Sequence, residues 1–295
     1  MVENNKVQQL LLNIVMTILG LSCVIPFMLL IISSFSSEAS LVTKGYSLFP
    51  KEFSLETYSY ICKSISSLMK GYGLTILVTV VGTMSSIALT VLFAYPLSRK
   101  ELPFRNFFAL FIFFTMLFNG GIVPTYLMYV NTFSIKNTLW AYIVPGHLLG
   151  AFYVIMMRSY FASSIPDSLV EAARLDGCGE FRILRSIILP LSKPMLATLT
   201  LMIGLTYWND WVNGLYYITD PSKYTIQMIL NTMLMDIRFL STTASSLGVD
   251  VGDMKLPTVG IRMGIAVAAV IPILIIYPFL QKYFVKGIAV GGVKG

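Results

Sequence analysis

No GxxxxGK[ST] run occurs anywhere in the chain, so there is no phosphate-cradling loop, and any ATP hydrolysis must belong to another chain. Histidine occurs once, as His147, with no Cys, Asp or Glu near it in sequence. That removes a nucleophile–histidine–carboxylate constellation and a histidine-based metal cluster from the expectations; no enzymatic activity, metal or cofactor is expected. The three cysteines, Cys23, Cys62 and Cys178, fall in a span, an outer segment and an inner loop, so no outer pair exists to form a disulfide. Charge is scarce as well: 12% of residues are charged against 56% hydrophobic, and the mean hydropathy is +0.77. Such a composition belongs to a polytopic membrane protein. The net charge of +7 calls for no nucleic acid, because the basic residues lie at the ends of apolar runs, where they set orientation in the bilayer.

The apolar runs come in six pieces, each near or above the roughly 20 residues that cross a bilayer. The expected spans are 11–32, 71–98, 106–130, 138–157, 195–217 and 263–280, in one all-α membrane domain covering 1–295. The first is read as a retained anchor, since signal-peptide apolar regions are only about 7 to 15 residues long. The second is rich in Thr, Ser, Gly and Ala, which permit close helix packing. The third is interrupted by Asn119-Gly120-Gly121-Ile122-Val123-Pro124, which must loosen or break a helix. The fourth carries Pro145-Gly146-His147, and the histidine either marks a transport path or hydrogen-bonds backbone freed by the proline.

Arg99, Lys100 and Arg105 form a short basic turn that the positive-inside tendency puts in the cytoplasm, together with both termini. Twelve of the 21 Lys and Arg residues fall on the expected inner side. The segment 218–260 is then outside, too polar to span and too long for a mere turn.

Between the two apolar halves lies PDSLVEAARLDGCGEFRILRSIILP, residues 166–190, with far too many charges for a bilayer core. Pro166 suits a first helical turn, Ser168 and Glu171 are spaced as a capping box, and Gly177 offers a left-handed stop. A second helix follows, with Phe181, Leu184 and Ile188 as an apolar stripe. The spacing Glu171-Ala172-Ala173, three residues, Gly177, nine residues, Ile187, one residue, Leu189-Pro190 resembles the EAA loop of ABC-importer permease subunits. The resemblance extends, through FNGGIVPTY from Phe118, NTLWAYIVPG from Asn137, TYWNDW from Thr206 and YPFLQKYFVKG from Tyr277, to carbohydrate permeases of the maltose-transporter class, nearest their oligosaccharide branch.

The resemblance implies the type I importer permease fold in a prokaryotic plasma (inner) membrane. It also implies four kinds of protein and ligand partner besides membrane lipid: a second homologous permease, two ATPase subunits, an extracellular sugar-binding protein and a sugar. Glu171, Ala172, Ala173 and Gly177 would carry ATPase coupling in helices 166–189. Two readings of Trp208, Asn209 and Trp211 stand open: they line the outer mouth of the sugar path, or the tryptophans anchor the span at the membrane boundary. On a continuous helix Trp208 and Trp211 share one face, while Asp210 points elsewhere to meet a cation or cap a break. Runner-up functions are an ABC permease for another solute and, less favoured because no acidic residue is expected mid-span, a secondary transporter.

Overall fold

The computed structural model describes residues 6–50, 52–63, 65–246, 259–272, 274, 275 and 278. Among them the regular structure is helical, with one isolated antiparallel bridge, Ser36 to Phe53. Two helices are individually long and apolar enough to cross a membrane, Gln9–Ser34 and Ile65–Ser98, and bent pairs raise the number to four. The sequence expectation of six spans is therefore not reproduced as six straight helices. Arg105–Leu117 and Ile122–Thr132 meet at 110°, and Glu180–Leu191 and Lys193–Trp208 at 82°. The fourth expected span is split into Trp140–Ile143 and Ala151–Ser164. Val259–Pro272 is a shorter apolar helix. Residues 247–258 of the expected outer segment, 279 and 280 of the last expected span, and most of the YPFLQKYFVKG run lie outside the described residues.

The chain divides into two compact units, Met1–Leu68 with Leu230–Ile273 and Met69–Ile229 with Leu274–Gly295. In the first, the Lys6–Ser34 helix runs into short helices Glu38–Lys44 and Glu56–Lys63. Glu38 accepts hydrogen bonds from the backbone N–H of Val259 (2.8 Å) and Gly260 (2.9 Å). The carboxylate thus satisfies the first donors of the Val259–Pro272 helix, where negative charge is favoured. Ser34 and Tyr58 share a hydroxyl–hydroxyl bond of 2.7 Å, and Leu41, Thr57, Ile261 and Ile265 are buried between these pieces.

The second unit holds the larger core, in which Val78, Tyr142, Val154, Met157, Phe161, Ile183, Ile188, Leu199, Ile203 and Tyr207 are almost fully buried. The Ile65–Ser98 helix turns one face of small and hydroxyl residues inward: Thr75, Gly82, Thr83, Ser86 and Thr90 are buried. Their size lets a neighbouring helix approach closely. A Cβ built on Gly82 would sit 2.6 Å from Cε1 and Cζ of Tyr207. That ring cannot yield easily, because its hydroxyl donates to the Ile143 carbonyl at 2.9 Å.

This contact generates a prediction. Gly82→Leu should lower the stability of the detergent-solubilised protein by about 1 to 3 kcal/mol through overpacking, whereas Gly73→Leu, where added atoms meet open space, should leave the thermal midpoint nearly unchanged. Equal midpoints for the two variants would contradict the packing described.

Candidate functional site

The 166–190 segment folds as a helix, a glycine turn and a second helix. The first helix is Asp167–Leu175. Its end is a Schellman turn: Gly177 has φ +77°, its N–H donates to Arg174 O (3.0 Å), and Cys178 N–H donates back to Ala173 O (2.9 Å). Only glycine takes this backbone without strain from a Cβ. The capping box expected from Ser168 and Glu171 is not formed. The N-cap is Pro166, without a side-chain cap, which moves Ser168 inside the helix and leaves Glu171 nothing to reciprocate.

Glu171 is exposed and has no ion-pair or side-chain hydrogen-bond partner among the described residues. Ala172 beside it is exposed, while Ala173 is buried, so the three-residue motif straddles the edge between packed and open surface. The second helix, Glu180–Ile183, passes into a π-helical stretch, Leu184–Ile188. The wider turn shifts the register that a 3.6-residue period assumes. Leu184 and Ile188 are buried as the spacing requires, but Phe181 is 72% exposed and Leu175, at the end of the first helix, 90%.

Two charged clamps tie this segment to the end of the Ile65–Ser98 helix and the turn after it. Lys100 Nζ donates to Asp167 Oδ2 at 2.9 Å, and this bond holds the Asp167 carboxyl below the usual carboxylate range. A carboxyl lowered in this way contributes stability above its unfolded pKa and loses it only as pH falls through the lowered one. Both partners are exposed, so the contribution is small. The second clamp is more enclosed. Buried Tyr95 donates to Glu180 Oε2 at 2.6 Å, Arg174 Nε donates to Glu180 Oε1 at 2.9 Å, and Arg174 Nη1 lies 3.5 Å from Glu101. Charge-assisted bonds of this kind are stronger and more directional than neutral ones.

The Trp208–Trp211 cluster is not one helical face. The Lys193–Trp208 helix ends at Trp208, and a new helix, Val212–Tyr217, starts after Trp211, so the i, i+3 argument for the two indoles fails at the break. Trp208 is buried and Trp211 is 38% exposed. Asn209 is exposed, donates to Leu205 O (2.9 Å) and accepts from Gln227 Nε2 (3.3 Å). Asp210 meets the break: its Oδ1 accepts from Asn213 N–H at 3.1 Å, in the first turn of the new helix, and its Oδ2 lies 3.3 Å from His147 Nε2.

His147 thus has an acidic neighbour that sequence distance concealed. The same place gathers a further tie, Asn213 Nδ2 donating to Pro145 O at 3.0 Å, which satisfies a carbonyl freed where proline breaks the helix. Tyr95, Lys100 and Asn213 were not singled out as site residues from sequence, and His147 and Asp210 were noted there only separately. The legible signal was that both TYWNDW and VPGH interrupt apolar runs, and broken membrane helices meet where polar groups can be shared. Among the described residues no group of three or more His, Cys, Asp or Glu could hold a metal ion.

A family model described as "Binding-protein-dependent transport system inner membrane component" matches residues 1–290. Protein LplC of Bacillus subtilis (strain 168) is 37% identical over 276 residues, covering 94% of this chain and 91% of that protein. The polygalacturonan/rhamnogalacturonan transport system permease protein YtcP of the same organism is 37% identical over 291 residues, 99% of each chain. Among solved structures, a chain from the crystal structure of a bacterial ABC transporter involved in the import of the acidic polysaccharide alginate matches with a TM-score of 0.78 and 28% identity. The match covers 96% of this chain and 99% of that one.

The turn at Gly177 yields a direct test. Gly177→Val should destabilise the loop by about 1 to 2 kcal/mol, the left-handed penalty for a residue with a Cβ, and expose it to protease; Gly179→Val, at φ −75°, should not. Indistinguishable digestion rates would show that the positive φ carries no strain.

Proposed function

Because this chain belongs to the family of binding-protein-dependent transport system inner membrane components, we propose that it is one permease half of an ATP-driven importer whose cargo is an oligosaccharide. In this reading it pairs with a second homologous permease and two ATPase subunits. An extracellular binding protein delivers the sugar, and six membrane passes, some of them broken, carry it with both termini in the cytoplasm. The oligosaccharide assignment draws on the names of relatives, which include permeases for polygalacturonan/rhamnogalacturonan and for arabinooligosaccharides (28% identical, Halalkalibacterium halodurans).

The observation that carries the proposal is the coupling segment. It presents an exposed carboxylate at Glu171, unpaired among the described residues, and two exposed apolar side chains, Leu175 and Phe181, while its other side is clamped to the Ile65–Ser98 helix through Tyr95–Glu180 and Lys100–Asp167. Exposed apolar groups beside an unsatisfied charge are the composition of a surface awaiting a protein. Closure of the ATPase would push on Glu171, Ala172 and the Gly177 turn. The Tyr95–Glu180–Arg174 clamp would pass that displacement to the membrane helix, since short charge-assisted bonds fix distance and direction.

At the other end, the reading puts Asn209 and Trp211 on the mouth of the sugar path with Trp208 packed behind them. An indole face suits the C–H face of a sugar ring and an amide suits its hydroxyls. The segment 218–260 reaches toward the binding protein. The His147–Asp210 pair, with its carboxylate buried and its imidazole half-buried, favours a secondary transporter, because ion coupling uses enclosed titratable groups; uptake that persists without an ATPase subunit would select that alternative.

Glu171→Lys should abolish most ATPase association in pull-downs and most uptake while leaving the protein's level in the membrane unchanged; normal association would remove Glu171 from coupling. The orientation has its own test. In a chain whose native cysteines are replaced, a cysteine at exposed Ser186 should resist a membrane-impermeant maleimide in intact cells and react after permeabilisation, and ready reaction in intact cells would reverse the topology.

A further inference from the structure

Two adjoining hollows lie beside the end of the Ile65–Ser98 helix. The larger, about 690 Å³, is a groove between that helix and Arg105–Leu117, and its lining is apolar, with Leu89, Phe93, Phe107, Phe108 and Phe111 among the walls. The smaller, about 420 Å³, shares Leu92, Pro96 and Leu102 with it and continues to a charged end at Tyr95, Arg99, Glu101, Arg174 and Glu180. Three of those charges satisfy one another, since Arg174 serves both Glu180 and Glu101.

Arg99 is different. Its side chain is only 9% exposed, and its Nε and Nη2 are buried with no hydrogen-bond partner. The guanidinium lies over the Tyr95 ring at 5.0 Å, and the carboxylate paired with it, Asp167, stands 3.9 Å from Nη1 and is itself held by Lys100. Arg105, at the first turn of the helix that forms the opposite wall, also has a buried Nε without a partner. A guanidinium cannot shed its charge, and Arg99 lines the smaller hollow with its one carboxylate 3.9 Å from Nη1, so a cation this buried is costly unless a further anion enters the hollow beside it. A small free anion would satisfy the guanidinium but leave the groove empty. An anion attached to a hydrocarbon chain fills both.

We propose that this is a binding site for one anionic phospholipid, its phosphate held by Arg99 and an acyl chain laid in the groove between the two helices. The proposal rests on the importer reading above, in which Ile65–Ser98 crosses the bilayer with Arg99, Lys100 and Arg105 at the inner surface. There, basic pockets between membrane helices meet acidic headgroups. The lipid would occupy the point where both clamps of the coupling segment are anchored, so headgroup occupancy would also brace Tyr95 and Glu180.

The test uses the importer purified with its companion permease and ATPase subunits and titrated with defined lipids under native mass spectrometry. Phosphatidylglycerol should be retained, phosphatidylcholine much less, and inorganic phosphate should not displace it. Arg99→Gln should weaken retention by about tenfold, the worth of a charge-assisted hydrogen bond. Leu92→Trp, which fills the groove and leaves the cation intact, should weaken it as well in a complex whose thermal midpoint is unchanged. Equal retention of the two lipids, displacement by inorganic phosphate, or full retention in Arg99→Gln would overturn the proposal. So would a parent complex that holds no lipid and a Leu92→Trp variant that fails to assemble, which would make the groove a seat for the companion permease. Lipid retention is read without sugar: a complex that holds phosphatidylglycerol but imports no sugar defeats the importer reading alone, and one that imports sugar with no lipid bound defeats this one alone.

Discussion

A polar backbone group in an apolar medium needs a partner, and in this chain that constraint is met where helices break. Within Met69–Ile229 the breaks at Pro145–His147 and Asn209–Trp211 supply each other's missing bonds. Asn213 meets the Pro145 carbonyl, Asp210 caps the next helix, and the Tyr207 hydroxyl meets the Ile143 carbonyl. A third departure, at Asn137, follows the same logic. Its backbone is left-handed at φ 58°, and its side-chain oxygen accepts from the backbone of Thr219 and Asp220. Remove the exchanges between the first two breaks and each leaves buried donors and acceptors unpaired.

The 166–190 segment solves the opposite problem. It is polar and must stay polar on one side, so its firmness cannot come from burying a large face. Its helices are nine and four residues long, too short to be stable alone. Val170, Ala173, Ile183, Leu184 and Ile188 supply the packing, the Schellman turn sets the angle, and Tyr95, Lys100 and Arg174 fix the orientation. Burial holds the segment in place, and the clamps fix its angle to the Ile65–Ser98 helix.

Much of this was readable from residues. The helix–glycine–helix form followed from Pro166, Gly177 and the apolar spacing, and Gly177 proved left-handed because nothing but glycine is comfortable there. The break after Phe118 followed from Gly120, Gly121 and Pro124. What failed to show in sequence shares one physical origin: it depends on partners far apart along the chain. The His147–Asp210 approach spans 63 positions, Tyr95 and Glu180 are 85 apart, and no local pattern encodes either. The helical period also misled at two places. Periodicity assumes an unbroken 3.6-residue helix, and a π turn displaced Phe181 from its stripe while the break at Asn209 separated the two indoles. Ser168 and Glu171 had capping-box spacing, but the helix took Pro166 as its N-cap, two residues too early to use it.

The Gln9–Ser34 helix has none of its most apolar window buried within the chain, and this bears on how the protein is made rather than how it works. Packing against its own chain contributes little to holding that helix, so in the proposed importer its place would be set by lipid and by the subunit that lies against it. A copy synthesised in excess of its assembly partners would display a long unclaimed apolar surface to the proteases that police membranes. Cellular abundance of the chain would then follow the supply of its companions, making subunit stoichiometry a matter of selective degradation as much as of gene expression.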